Sequence, residues 1–270
     1  MPKIRAICLV KNEADCIEEC LSEALAWCDR IFVYDGASTD GTWDKVRAMA
    51  SDRIVAWRSD DAVFREGLRA LVFEDFRREA QAGDWWCQLN GDEFYVEDPR
   101  AFLAAVPRHE HVVWGVNLQY YLTPEDVDGA PFTGRFAEDR ERIRYYKAAC
   151  AERRFFRHRP GLVWNDRDAW PRHLGVVHER LLRFRHYPYR SPQQIQMRLD
   201  VRRENRARGF EGWDHAKELD WREKIVPRDG LHLDTGDSAL ITESEVLRQH
   251  LERPRERALK RLLHGLGIWP

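Results

Sequence analysis

The chain has 270 residues, 43% of them apolar, and its 44 basic and 46 acidic side chains leave a formal net charge of −2. That length makes one large domain or two small ones, and 11 Trp, 12 Phe and 8 Tyr give ample core material, which excludes global disorder. The balanced charge argues against a nucleic-acid partner, and no apolar run approaches the roughly 18 residues of a membrane span.

Strands and helices alternate through the first hundred residues. Residues 3–10 (KIRAICLV) read as a buried strand, and residues 14–28 place Ile17, Cys20, Leu21, Ala24, Leu25 and Cys28 at helical spacing. A second strand is expected over 30–34, then a helix over 42–50 with Thr39 or Asp40 at its start, a third strand over 53–57, a helix over 66–81 and a fourth strand over 84–89. This alternation implies parallel pairing with right-handed crossovers, an α/β fold that binds ligands at the carboxyl ends of its strands. Beyond Pro99 the alternation stops. Residues 101–105 read as helical, 111–122 as a strand, 123–150 as polar and turn-rich, 191–207 as a helix opened by Pro192, 208–240 as irregular, and 244–263 as a helix broken or kinked at Pro254. Cys8, Cys16, Cys20, Cys28, Cys87 and Cys150 form no C-x-x-C pair, and the N-terminus is too polar after Val10 for a secretory signal. Buried thiols in a reducing cytoplasm are expected.

Polar groups mark the strand ends. The first strand runs into Lys11, Asn12 and Glu13, the second into Asp35, and the fourth into Asn90, Gly91, Asp92 and Glu93. A parallel sheet puts these ends on one edge, where crowded carboxylates are costly unless a cation joins them. A nucleotide or phosphate site with Mg²⁺ or Mn²⁺ satisfies that requirement.

The segments VKNEAD, VYDGASTDGT and DWWCQLNGDEF resemble, in that order and spacing, the family 2 glycosyltransferases. That family shows a strand ending near N-E, then DDGSTDGT, then LDADD or LDADE. The resemblance covers residues 1–100 and implies a GT-A fold, a Rossmann-like and mostly parallel sheet flanked by helices, with a nucleoside-diphosphate-sugar donor and usually a divalent cation. It implies that Asp35 contacts the nucleobase or ribose with Glu13 beside it in the donor site, that Val10 and Asn12 help frame the base, and that Ser38 to Thr42 form the turn launching the next helix. Asn90, Gly91 and Asp92 fall on the D-x-D segment, with Asp92 as main metal ligand and Glu93 in support. Gly36 stands where the family has its second Asp. Asn90 replaces the first Asp of D-x-D, so weaker metal binding is expected.

The stretch VVHERLLRFRHYPYRSPQQIQMRL resembles a subset of these enzymes that build bacterial polysaccharide or lipopolysaccharide core. An inverting transferase must deprotonate an acceptor hydroxyl, which suits a carboxylate. Glu179 is the first candidate from the family's H-E, Asp166 the next with Asp168, and Glu138 and Asp139 follow. His186 is expected to join Asp92 at the metal, and Arg190 to meet the diphosphate. The expected domains are a catalytic unit over 1–207, its donor half 1–100 and an irregular α+β acceptor half 101–207, followed by a helical extension over 208–270. The acceptor is expected to be a glycan or lipid-linked, with Trp114, Tyr120, Tyr121, Trp164 and Trp170 lying where it would enter. The basic, leucine-bearing tail RPRERALKRLLHGLGIWP suits peripheral contact with an anionic membrane.

A sugar nucleotidyltransferase would carry a GGxGTRL loop after the first strand, where this chain has VKNEAD. A non-catalytic protein of the same fold is the other alternative, and Asn90 is its best support.

Overall fold

The computed structural model describes residues 1–210, 218–236 and 240–270. Its first part follows the hydrophobic periods: β1 (Ile4–Val10), α1 (Ile17–Ala24), β2 (Arg30–Asp35), α2 (Thr42–Ala48), β3 (Ile54–Ser59), α3 (Leu68–Phe76) and β4 (Trp85–Asn90). These strands pair in parallel in the order β3-β2-β1-β4. α1 buries Ile17, Cys20, Leu21 and Ala24, the i, i+3, i+4, i+7 stripe of its sequence. The apolar side chains of α1 join one core cluster on one face of the sheet, and Val72 and Phe73 of α3 join a second, with Ile7, Phe32 and Trp86, on the other.

The second part comprises β5 (Glu93–Tyr95), α4 (Pro99–Ala104), β6 (Val112–Tyr121), α5 (Pro124–Val127), α6 (Phe136–Asp139), β7 (Tyr145–Arg157), β8 (Leu182–His186), α7 (Pro192–Ala207), β9 (His232–Leu233) and α8 (Pro254–Gly265). It extends the same sheet as β4-β7-β6-β8-β5, with β9 beside β7. β7 is antiparallel to both β4 and β6, and β8 is parallel to β6. Two antiparallel steps restore direction, so β6 and β8 run the same way as β1, β2 and β4. All five therefore end on one edge of the sheet.

The fold is α/β with a Rossmann-like first half, as expected, but the sheet as a whole is mixed rather than mostly parallel. Two further expectations are corrected. Residues 145–150, read as part of a turn-rich stretch, belong to β7. Their alanines and lysine have weak strand propensity, and the pairing with β6 decides their state. The helix expected over 244–263 is a single 3₁₀ turn, Val246–Arg248, and the separate α8, whose first residue is Pro254. Proline lacks the N–H that a helix interior needs, so it starts this helix instead of bending it. No helix among the described residues is long and apolar enough to cross a membrane.

Candidate functional site

After β1 the chain turns sharply, with Asn12 in the left-handed region (φ 58°). The polar run after β2 holds this turn. Ser38 Oγ accepts the Asn12 N–H at 2.8 Å, Thr42 Oγ1 accepts the Glu13 N–H at 2.8 Å, and Asp40 accepts the Ala14 N–H at 3.0 Å. Asn12 Oδ1 accepts the Thr39 N–H at 2.8 Å in return. Beneath them Asp35 is fully buried, its carboxylate accepting the Ser38 N–H at 3.0 Å and the Ser59 hydroxyl at 2.6 Å. The side chains of the 35–42 motif are thus spent on fixing two loops against each other. Gly91 packs against the first of them, where a Cβ would lie 3.1 Å from Val10 Cγ1 and 3.2 Å from Ile17 Cδ1.

A cleft of about 440 Å³ opens on this edge. Val10, Asn12, Glu13, Asn90, Gly91, Asp92 and His186 all line it, together with Tyr34, Phe64, Asn117 and Glu152. α7 closes one side with Arg198, Val201, Arg202 and Asn205, which recur at i, i+3, i+4 and i+7.

Asn90 has a clear local reason. Its Oδ1 accepts from the buried Arg69 at 2.6 Å while its Nδ2 donates to Glu93 at 2.8 Å. An aspartate could satisfy Arg69 but would set a second carboxylate against Glu93. Glu93 is itself buried and paired with Arg154.

Asp92 is 2% exposed. One of its oxygens lies 3.3 Å from His186 Nε2, 3.1 Å from Arg198 Nη1 and 3.7 Å from Arg190 Nη1. Burial disfavours its charge, yet His186, Arg198 and Arg190 outweigh burial and hold the carboxyl well below the usual range. Glu13 goes the other way. Burial pushes it up to about 7, even though Arg190 and Arg198 pull it down. Arg190 is 1% exposed and sits behind the cleft wall, bonded to Glu13 and, at 2.7 and 2.8 Å, to Asp15.

His186 Nε2 is buried and, among the described residues, has no partner beyond this 3.3 Å approach to Asp92. Two ligands each about 2.1 Å from one ion stand roughly 3 Å apart, so the 3.3 Å between His186 Nε2 and Asp92 matches the spacing of two ligands on a divalent cation, while Arg198 donates to the same Asp92 oxygen at 3.1 Å. Glu13, Asp15 and Cys16 also bring ligand atoms within 4.8 Å of one another. That group does not fit a metal, because Arg190 already bonds both carboxylates and burial keeps the Cys16 thiol protonated.

The remaining candidates lie elsewhere. Glu179 precedes β8, and the neighbouring His178 N–H bonds to the carbonyl of Val112 at the start of β6, so Glu179 lies at the opposite edge of the sheet from His186. Its carboxylate is exposed and pairs with Arg257 at 2.8 Å. Asp166 is outside the cleft lining and pairs with Arg65 at 2.7 Å. Tyr120 and Trp164 are core residues. Glu152 and Arg198 were missed by sequence reasoning, although both left a signal: Glu152 is a charge two residues from Cys150 on the same strand face, and Arg198 belongs to the helical stripe named above.

No family model and no curated protein matches the chain. Among solved structures it is similar to a candidate glucose-1-phosphate thymidylyltransferase from Bacillus anthracis, in complex with sucrose. The identity is 14% and the TM-score 0.34, over 82% of this chain and 93% of that one.

Proposed function

We propose that this protein is an inverting glycosyltransferase that moves a sugar from a nucleoside-diphosphate-sugar donor to a glycan or lipid-linked acceptor, in bacterial surface polysaccharide assembly. One observation carries the reading. The three segments with the family resemblance meet in a single cleft at the strand ends, where Asp92 stands 3.3 Å from His186. The nucleoside would lie against Val10, Asn12 and Tyr34, with Asp35 acting from beneath by holding the Ser38 turn.

Asp92 and His186 would hold Mg²⁺ or Mn²⁺, which when bound supplies positive charge to the leaving diphosphate. Arg198 reaches the same place from α7 and offers a second cation to that diphosphate. Arg190 acts at one remove by keeping Glu13 and Asp15 paired. Glu152 replaces Glu179 and Asp166 as the general base, because it is a half-exposed carboxylate on the cleft wall. Asn117, which also faces His186 Nδ1 at 3.3 Å, donates to it at 3.1 Å. The acceptor oxygen attacks the anomeric carbon, its proton passes to Glu152, and the bond to the diphosphate breaks with its electron pair leaving on the diphosphate oxygen.

The test is calorimetric titration with UDP, GDP, dTDP and CDP, each with Mn²⁺, Mg²⁺ or chelator. Metal-dependent binding of one nucleotide is expected. Binding of none would overturn the reading, and pyrophosphate release from a sugar 1-phosphate and a nucleoside triphosphate would mark a nucleotidyltransferase instead.

A further inference from the structure

The helix α8 is built inside out. Arg257 reaches in to Glu110 and, at 2.8 Å, to Glu179, while Lys260 reaches in to Glu252. Glu110 and Glu252 are buried acceptors on the body of the protein, with side chains 7% and 5% exposed. The chain end is fastened as well: Trp269 packs on His173 with ring centroids 4.6 Å apart, and Pro270 is the nearest neighbour of Gly161. With Arg257 and Lys260 turned inward, the helix presents Leu259, Leu262 and Leu266 to solvent on one line, 54%, 56% and 63% exposed, with Ile268 beyond them at 63%. A helix packed only for stability would bury such a ridge.

The surroundings of the ridge are basic. Apart from Arg257 and Lys260, which acids of the protein already pair, the chain from residue 253 to the end carries Arg253, Arg255 and Arg261 against the single acid Glu256. Next to α8 a cleft of about 540 Å³ is lined by Arg153, Arg167, Arg172, Lys260 and Trp269. Its carboxylate, Asp168, is paired with Arg172 at 3.3 Å. Leucines pointing outward, flanked by arginines, match a lipid surface with anionic headgroups. A second copy of the chain fits less well. Four side chains cover far less than the roughly 800 Å² per partner of a stable dimer, and a paired copy would set arginines against arginines.

We infer that α8 and the chain end form a membrane-docking surface: the leucine ridge enters the acyl boundary of an anionic bilayer, and the adjoining basic cleft receives lipid phosphate. This inference stands apart from the proposed transferase activity. α8 lies by Glu110 and Glu179, at the sheet edge away from the cleft, so the surface anchors the protein without delivering a headgroup to Asp92.

The test is co-sedimentation of the full chain with vesicles of phosphatidylcholine alone or with 30% phosphatidylglycerol, with free inorganic phosphate as competitor. Binding to anionic vesicles only, weakened by 0.5 M salt, is expected. Leu259→Ser with Leu262→Ser and Leu266→Ser, and separately Arg253→Glu with Arg255→Glu, should each weaken it at least roughly ten-fold. All of these side chains are exposed, so circular dichroism and Tm should match the parent. Equal binding by parent and variants, no binding by the parent, or a dimer in sedimentation equilibrium that the leucine variant dissolves would each overturn the inference. Loss of vesicle binding at millimolar phosphate would overturn the bilayer as occupant in favour of a free phosphate site.

Discussion

Around Asp92 the two halves of the sheet bring opposite charges together. Strands β1 and β4, in the parallel half, bring Glu13 and Asp92 to the edge. The antiparallel half and α7 bring His186, Arg190 and Arg198 against them. Taken alone, the first half would end in buried carboxylates with nothing to oppose them, and the second in buried guanidinium groups. Each half therefore supplies what makes the other's burial tolerable, and the reacting groups stand where the two meet.

The largest effect should come from removing the group on which both halves converge. Asp92→Ala is expected to lower transfer roughly a thousand-fold or more and to remove the metal dependence of nucleotide binding. Full turnover would break the assignment. Glu152→Gln should lower turnover by roughly 10²–10⁴-fold with nucleotide affinity near the parent's, which separates the proton-accepting role from donor binding. Steady-state kinetics beside calorimetry reads both.

Arg190 tests the comparison through stability. It is 1% exposed and spans Glu13, Asp15 and Asp92. Arg190→Ala leaves Asp15 without its guanidinium and Glu13 and Asp92 leaning on Arg198, and should cost about 3–5 kcal/mol in denaturant unfolding. A lysine there would restore charge but not the forked geometry, so it should recover only part. A loss below 1 kcal/mol would mean that the halves do not depend on each other in this way.

A smaller effect should come from the seam at the other edge. Trp86 of β4 donates its indole N–H to Nδ1 of His158, just past β7, at 3.2 Å. That nitrogen must be unprotonated to accept. Burial, with Arg77 adding, pushes the His158 pKa down to about 4. The unfolded chain takes up this proton near pH 6.5 and the folded chain only near 4. The contribution is thus complete above pH 6.5 and is lost as pH falls to 4, amounting to at most roughly 3 kcal/mol. Unfolding free energies measured from pH 7 to 4 should show this decline, and His158→Phe should flatten it.

How legible each half was follows from the same division. The strands and helices of the parallel half are coded locally: alternating strand and helix periods, with polar groups at strand ends, sufficed to gather Asn12, Glu13, Gly91 and Asp92 at one edge. In the antiparallel half, β7 has a middle of alanine, cysteine and charge between aromatic pairs, Tyr145–Tyr146 and Phe155–Phe156, and its state depends on pairing with β6, more than twenty residues away in sequence. No local period reports that. The same limit applies to side-chain roles. Asp35 stood out in its motif, but only its contacts reveal that its carboxylate is spent on Ser38 and Ser59. The order of H-E and H-Y-P-Y-R-S drew attention to Glu179. The run of β8 then separates the two segments, carrying His186 to the cleft and leaving Glu179 at the far edge.

The smallest expected effect is the one that sharpens this last point. Glu179→Gln keeps the shape of the side chain and removes its charge. The charge now faces Arg257, which also holds the buried Glu110, so the helix α8 keeps its stronger anchor. An exposed pair of this kind is worth about 0.2–1 kcal/mol. Turnover should stay within roughly two-fold of the parent and Tm should shift by no more than a few degrees. A collapse of turnover with donor binding intact would return the general base to Glu179. That would require the acceptor to reach the opposite edge of the sheet, which a strand running directly from Glu179 toward His186 does not allow in one closed site.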